Sequence, residues 1–122
     1  MKKTILLVAA FSALFIVAFI PVKRNIIGTW LITYKSGSTV KLDIRMDGTI
    51  KVDIPAENFT VTGKYKMKGD VISFTDSTCG VNYWSRYKVT FLSDDSVYSE
   101  AIEDSCLPRK SSVDKVTLIR IK

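Results

Sequence analysis

Between Val40 and Met67 apolar side chains recur at every second position, and this period of two is what most restricts the fold. Val40, Leu42, Ile44 and Met46 alternate with Lys41, Asp43 and Arg45; beyond Asp47-Gly48, Ile50, Val52 and Ile54 alternate with Lys51 and Asp53. Successive side chains of a strand point to opposite faces, so each run has one apolar and one wet face, a pattern no helix produces. Asp47-Gly48 between two such runs is the signal of a type I′ hairpin turn. Pro55 breaks the strand because it donates no ladder hydrogen bond. Phe59, Val61, Gly63, Tyr65 and Met67 then alternate with Thr60, Thr62, Lys64, Lys66 and Lys68.

The segments on either side extend the pattern. Upstream, Ile26 to Tyr34 reads as a first strand in which Trp30, Ile32 and Tyr34 share a face and Gly28 permits close backbone approach. Downstream, Gly69-Asp70 turns the chain into Val71 to Phe74, and Thr75 to Gly80 reads as a loop. From Val81 to Phe91 the residues Val81, Tyr83, Tyr87, Val89 and Phe91 share one face; Asn82, Trp84, Arg86, Lys88 and Thr90 share the other. Ser93 to Ser96 is a turn, Val97 to Glu103 a seventh strand and Val113 to Ile121 an eighth, with Cys106, Pro108 and Arg109 in a loop between them. No stretch beyond the N-terminal region has helical periodicity.

Eight short strands at close spacing predict an all-β chain: an eight-stranded antiparallel up-and-down barrel, or a closely related sandwich. A barrel of that size can be filled by side chains or can hold one small ligand. The predicted interior is bulky: Trp30, Ile32, Tyr34, Leu42, Ile44, Val52, Val61, Tyr65, Met67, Phe74, Tyr83, Tyr87, Phe91 and Leu118. That predicts a filled barrel or a small cavity.

Residues 1–24 do not resemble the rest. Lys2 and Lys3 precede an uncharged run of 19 residues, Thr4 to Val22, followed by Lys23 and Arg24. This is the pattern of an export signal, at a length where a cleaved signal peptide and a retained membrane anchor overlap. With no Ala-x-Ala at its end and only Ile16-Val17-Ala18 as a substitute, both remain open. Either way residues 25–122 form a domain outside the cytoplasm. Removing Lys2, Lys3, Lys23 and Arg24 from the 18 basic residues leaves 14 against 12 acidic ones, too small an excess to indicate nucleic-acid binding. Histidine is absent, so histidine-based acid/base chemistry and the usual zinc ligand sets are excluded; no metal, cofactor or catalytic residue is expected.

Export permits oxidation, and Cys79 and Cys106 are not in a Cys-x-x-Cys arrangement, so a structural disulfide is expected over a redox or metal pair. Lys64, Lys66 and Lys68 read as a solvated face that resists aggregation rather than as a lipid or polysaccharide site. Asp94-Asp95 and Glu103-Asp104 read as turn chemistry, lacking a loop of alternating oxygen ligands for calcium. Trp84 and Arg86 on the polar face are candidates for a protein contact, since both residue types anchor interfaces; a Trp packed under a neighbouring loop is the alternative.

Two local patterns add a family resemblance. Gly28-Thr29-Trp30 opening the first strand resembles the Gly-x-Trp signature of lipocalins. A longer series, Gly63-Lys64-Tyr65, Gly69 to Asp76, Cys79, Tyr83-Trp84 and Asp104 to Arg109, is similar to small bacterial secreted lipocalin-like domains of the calycin group. The resemblance implies a calycin-type barrel that binds or contacts something, without supplying the ligand. It also implies that an arginine near the C-terminus crosses the signature tryptophan, Arg120 over Trp30, with Gly28 beside them; Arg109 is the other candidate. The opening also resembles avidins through Gly37-Ser38, Asp47-Gly48 and Thr62-Gly63-Lys64-Tyr65, but Tyr34 and Lys35 stand where avidins carry an Asn for biotin, so biotin binding is not expected.

The function expected is therefore that of an exported, non-enzymatic lipocalin-like barrel binding a small apolar molecule or an envelope protein. Tyr34, Tyr65, Tyr83 and Tyr87 are the polar groups expected to orient such a ligand. A structural or inhibitory module with a filled barrel is the alternative. An enzyme using a tyrosine and a carboxylate at the barrel mouth is a third reading, disfavoured by the lack of a nucleophile motif.

Overall fold

The computed structural model describes residues 24–121; the leader, apart from Arg24, lies outside the described residues. Strands β1 (Gly28–Thr33), β2 (Thr39–Ile44), β3 (Thr49–Ile54), β4 (Phe59–Lys68), β5 (Val71–Asp76), β6 (Ser85–Ser93), β7 (Ser96–Glu103) and β8 (Val116–Ile121) follow one another in order. Each pairs antiparallel with its neighbours and β8 closes on β1, giving an eight-stranded up-and-down barrel. Closure leaves no free sheet edge.

The alternation predicted along the strands sorts the core. Trp30, Ile32, Leu42, Ile44, Val61, Phe74, Tyr87 and Leu118 are buried, joined by Ile26, Val40, Ile50, Ile72, Val89 and Val97. Phe59 and Met67 are exposed despite their place in the period; they lie toward opposite ends of β4, Phe59 at the rim of the barrel interior. β4 is shared between two partners. Its first half pairs with β3 and its second with β5, and Gly63 sits at the changeover. A Cβ there would run into the backbone carbonyl of Thr75 and stand 3.0 Å from the Cβ of Asp76, so only glycine lets β5 approach this closely.

Three local expectations are corrected. The β2–β3 turn is not type I′, which requires positive φ at both central residues. It spans Arg45 to Gly48, closed by the Gly48 amide donating to the Arg45 carbonyl, and only Gly48 (φ 86°) is left-handed; Met46 is thereby put on the turn and exposed. β6 begins at Ser85 rather than Val81, because the disulfide-linked segment before it is drawn across the barrel end, and Val81 is exposed.

The third correction is a helix, α1 (Leu107–Val113), in the segment read as a loop. It starts with Pro108 in its first turn, where proline is tolerated, and ends before Lys115 at φ 56°. Its inward face is Arg109, Ser112 and Val113, at i, i+3 and i+4. A face led by a charged residue carries no apolar stripe, which is why the period is invisible in the sequence.

The two ends of the barrel differ. At the end holding Gly28, Ile44, Gly69 and the β6–β7 turn, Ile26 fills the interior and Trp30 donates its indole N–H to the Ile26 carbonyl at 2.8 Å. Arg120 lies with its guanidinium 4.3 Å from the centre of the Trp30 ring. It donates to the Ile27 carbonyl at 2.7 Å and the Asn25 carbonyl at 2.6 Å. Gly28 (φ 142°) has a backbone angle that favours glycine, and a Cβ there would meet Arg120 Nη1 at 2.6 Å and push the guanidinium from its place. The opposite end carries loop 34–38, the 3₁₀ turn Pro55–Glu57, loop 77–84 and α1.

Candidate functional site

The barrel is not filled. An interior cavity of about 350 Å³ runs from the α1 end down to Ile26, Ile44 and Leu118. Of the two outcomes expected, a filled barrel or a small cavity, the second is found; of the residues counted as interior, Trp30, Ile32, Tyr65, Met67, Tyr83, Tyr87 and Phe91 do not line it. The wall is aliphatic in its depth, with Leu42, Ile50, Val52, Ile72, Val89 and Val97; its polar side chains, Tyr34, Asp76, Thr78, Ser99, Arg109 and Ser112, gather toward α1. Exposed Ala56, Glu57, Phe59, Thr78 and Pro108 form the rim between the 3₁₀ turn and α1.

The polar head is built around Arg109. Its side chain is 4% exposed and its guanidinium stands 5.1 Å from the Phe74 ring and 5.5 Å from the Tyr83 ring. Phe74 stacks in turn on Tyr87, centroids 5.3 Å apart. The guanidinium grips Asp104 two-fold, Nε to Oδ2 at 3.0 Å and Nη2 to Oδ1 at 3.1 Å. Asp104 also accepts from the Tyr87 hydroxyl at 2.6 Å and the Cys106 amide at 2.9 Å, and is thereby saturated. The third nitrogen, Nη1, is ion-paired with Asp76 Oδ1 at 3.4 Å and has no hydrogen-bond partner among the described residues.

The ionisation of the group follows from its packing. Burial alone would raise the Asp104 carboxyl, yet the bonds from Arg109, Tyr87 and the Cys106 amide hold it below its usual range. Burial works against the Arg109 charge, but the bonds and charge of Asp104, with the charge of Asp76, raise its pKa. Burial, followed by donation to an ionised carboxylate, pushes the Tyr87 phenol far up, so it stays protonated. One guanidinium thus faces two buried carboxylates.

Of the four tyrosines named as ligand contacts, Tyr34 lines the cavity and donates to the Ser112 carbonyl at 2.7 Å, pinning α1 over the barrel end; burial raises its pKa. Tyr65 donates to the Arg45 carbonyl at the far end. The Tyr83 hydroxyl accepts from the Ser105 amide at 2.8 Å, and Tyr87 serves Asp104. Cys79 and Cys106 form a disulfide, Cα atoms 5.8 Å apart, joining loop 77–84 to the residue that caps α1. Trp84 is half-buried with Lys66 Nζ 4.6 Å over its ring, and Arg86 pairs with Glu103 at 3.0 Å on the exposed face.

The residues that sequence reasoning missed are Asp76 and Arg109 as cavity groups and Asp104 as their anchor. Their signal is faint: Asp104 and Arg109 bracket Cys106, and Asp76 stands three residues before Cys79, so the disulfide brings all three carriers together. No family model matches the chain, and no curated protein matches it.

Proposed function

We propose that this is an exported, non-enzymatic lipocalin-like barrel of the calycin type that binds a small, mainly apolar molecule. The observation that carries the reading is the cavity of about 350 Å³, at the lower end of the range of ligand sites of roughly 300–1,000 Å³, with an aliphatic depth and a few polar groups at one end. Export is supported by the leader pattern and by the Cys79–Cys106 disulfide, which is compatible with an oxidising compartment. A binding rather than a catalytic role is supported by the engagement of Asp104 and Tyr87, the first saturated by four donors and the second held protonated against it.

Native mass spectrometry of the protein from its own host, followed by calorimetric titration with short-chain amphiphiles, tests this. A bound species of mainly hydrocarbon character, or saturable binding at one site per chain, is the expected result. Absence of both would move the function to the outer surface, to Trp84 and Arg86 and an envelope protein partner.

A further inference from the structure

Outside the barrel, a polar groove of about 670 Å³ crosses β4 where that strand changes partners from β3 to β5. The turn 45–48 stands on one side and Asn82 and Trp84 on the other, over a floor that includes Lys51, Thr62 and Lys64. The loop carrying Asn82 and Trp84 is tied down by the Thr75 hydroxyl, which donates to the Val81 carbonyl at 2.8 Å. Lys66 Nζ, 4.6 Å over the Trp84 ring, holds the indole at the edge of the groove.

The charges on β4 are set differently from those on the rest of the barrel wall. Lys41 faces Asp53 across the sheet, Lys51 faces Asp43, Lys88 faces Glu100, and Arg86 is ion-paired with Glu103. Such opposed charges are the usual way a sheet offsets its cations. Lys64, Lys66 and Lys68, at alternate positions of β4 and so about 7 Å apart, face only Thr49, Thr75, Ser73 and Val71. Among the described residues none of the three has a carboxylate within ion-pair distance. The exposed carboxylate that lines the groove, Asp47, spends Oδ1 on the Thr49 amide and hydroxyl.

We infer that this groove binds an acidic polysaccharide, whose carboxylates meet Lys51, Lys64 and Lys66 and whose hydroxyls meet Thr62, Asn82 and Asp47. The uncompensated cations set the sign of the partner. Its class follows from the shape and the groups of the groove. The closed barrel has no sheet edge on which a peptide adds a strand, and a polar floor gives an amphipathic helix no apolar seat. Single-stranded nucleic acid stacks successive bases on several rings, and one indole lines this groove. A bilayer surface is flat and does not enter a recess. A sugar hydroxyl both donates and accepts, which suits ammonium and amide donors set beside a carboxylate. The inference stands apart from the cavity and from what the cavity binds.

The test titrates an oligogalacturonate of about six sugars into the disulfide-intact protein, against maltohexaose, hexaglutamate, hexathymidylate and phosphatidylglycerol vesicles. Calorimetry gives the affinity. Trp30 is 0% exposed, so a change in tryptophan fluorescence reports Trp84. The oligogalacturonate should bind about tenfold or more tighter than any of the others, and more weakly as salt is raised. Lys64→Gln with Lys66→Gln should weaken it about tenfold; Lys35→Gln with Lys115→Gln removes the same charge outside the groove and should change it less than about twofold. Equal losses from the two pairs overturn the inference. So does any of the other four binding as tightly as the oligogalacturonate, and so does the absence of binding.

Discussion

Replacing Arg120 by Met should destabilise the barrel by about 3 kcal/mol, a figure built from the contacts the guanidinium makes. The short bond to the Ile27 carbonyl is charge-assisted and partly buried, worth about 1.5–3 kcal/mol. The bond to Asn25 counts less, because that carbonyl belongs to an exposed residue and returns to water when the arginine is gone. The guanidinium over Trp30 at 4.3 Å adds about 1 kcal/mol. The pair with Asp95 at 3.3 Å has an exposed partner and adds about 0–1 kcal/mol. Methionine keeps the stem packed against the indole and returns a fraction of the loss. Urea unfolding at neutral pH, with a slope of roughly 1–3 kcal/mol/M, should show a midpoint lower by roughly 1–3 M. Arg120→Lys keeps the cation but not the fork, and should fall between the two. A double-mutant cycle with Trp30→Phe isolates the ring contact, with a coupling of about 0.5–2 kcal/mol. A loss under about 1 kcal/mol for Arg120→Met with no measurable coupling would refute the account of this end as sealed by Arg120.

Other perturbations separate the remaining supports. Changing Cys79 and Cys106 both to Ser should lower stability by roughly 3–4 kcal/mol on the chain-entropy model for residues 27 apart, measured by urea unfolding against the oxidised protein; an unchanged midpoint would dismiss the cross-link as a stabiliser. Gly63→Ala should destabilise by roughly 1–3 kcal/mol, since its methyl group meets the Thr75 carbonyl, with hydrogen exchange rising first along β4 and β5. Asp104 has a folded pKa below its unfolded value, so its contribution is present above about pH 4 and is lost as pH falls through the folded value. Thermal melts should therefore weaken below about pH 4, and Asp104→Asn should be less stable at neutral pH while showing a shallower acid limb; parallel limbs would deny Asp104 that role.

What could be read from the sequence was whatever depends on a period. Strands β2, β3 and β4 announce themselves because Val40 to Met67 alternates in three runs separated by Asp47-Gly48 and Pro55, and eight such segments leave few topologies besides a closed up-and-down barrel. The disulfide was legible because the leader pattern supplies the compartment. What could not be read depends on residues meeting across the fold. Asp104 and Arg109 lie in segments with no apolar period and Asp76 ends β5 as a polar residue, and nothing local distinguishes a buried Arg109 from a half-buried Lys110 one residue on. Which of the two held, a filled barrel or a small cavity, was hidden for a related reason. Inward-facing bulk can be counted from the alternation, but whether Tyr65 or Met67 reaches the middle of the barrel depends on its height along a tilted strand, which the period does not encode.

The same chemical device, a guanidinium set among aromatic rings and oxygens, stands at both ends of the barrel, and the two are satisfied differently. Arg120 is partly exposed, yet every one of its nitrogens has a partner: Nε the Asp94 carbonyl, Nη1 that of Ile27, Nη2 those of Asn25 and Asp94. A structural arginine at a barrel end can therefore be fully satisfied in this fold with backbone carbonyls alone. Arg109 is far more deeply buried, where an unpaired donor is more damaging, and it is the one left with a nitrogen that lacks a hydrogen-bond partner among the described residues. Folding stability alone would favour closing that gap, for instance by turning Asp76 toward Nη1. Instead Gly63 brings β5 in at a distance no other residue permits, and the Thr78 amide draws Asp76 Oδ1 into a different bond. One end is closed by an arginine on backbone carbonyls, and the end under α1 by a buried ion network of Arg109, Asp104 and Asp76 in which one nitrogen has no hydrogen-bond partner among the described residues.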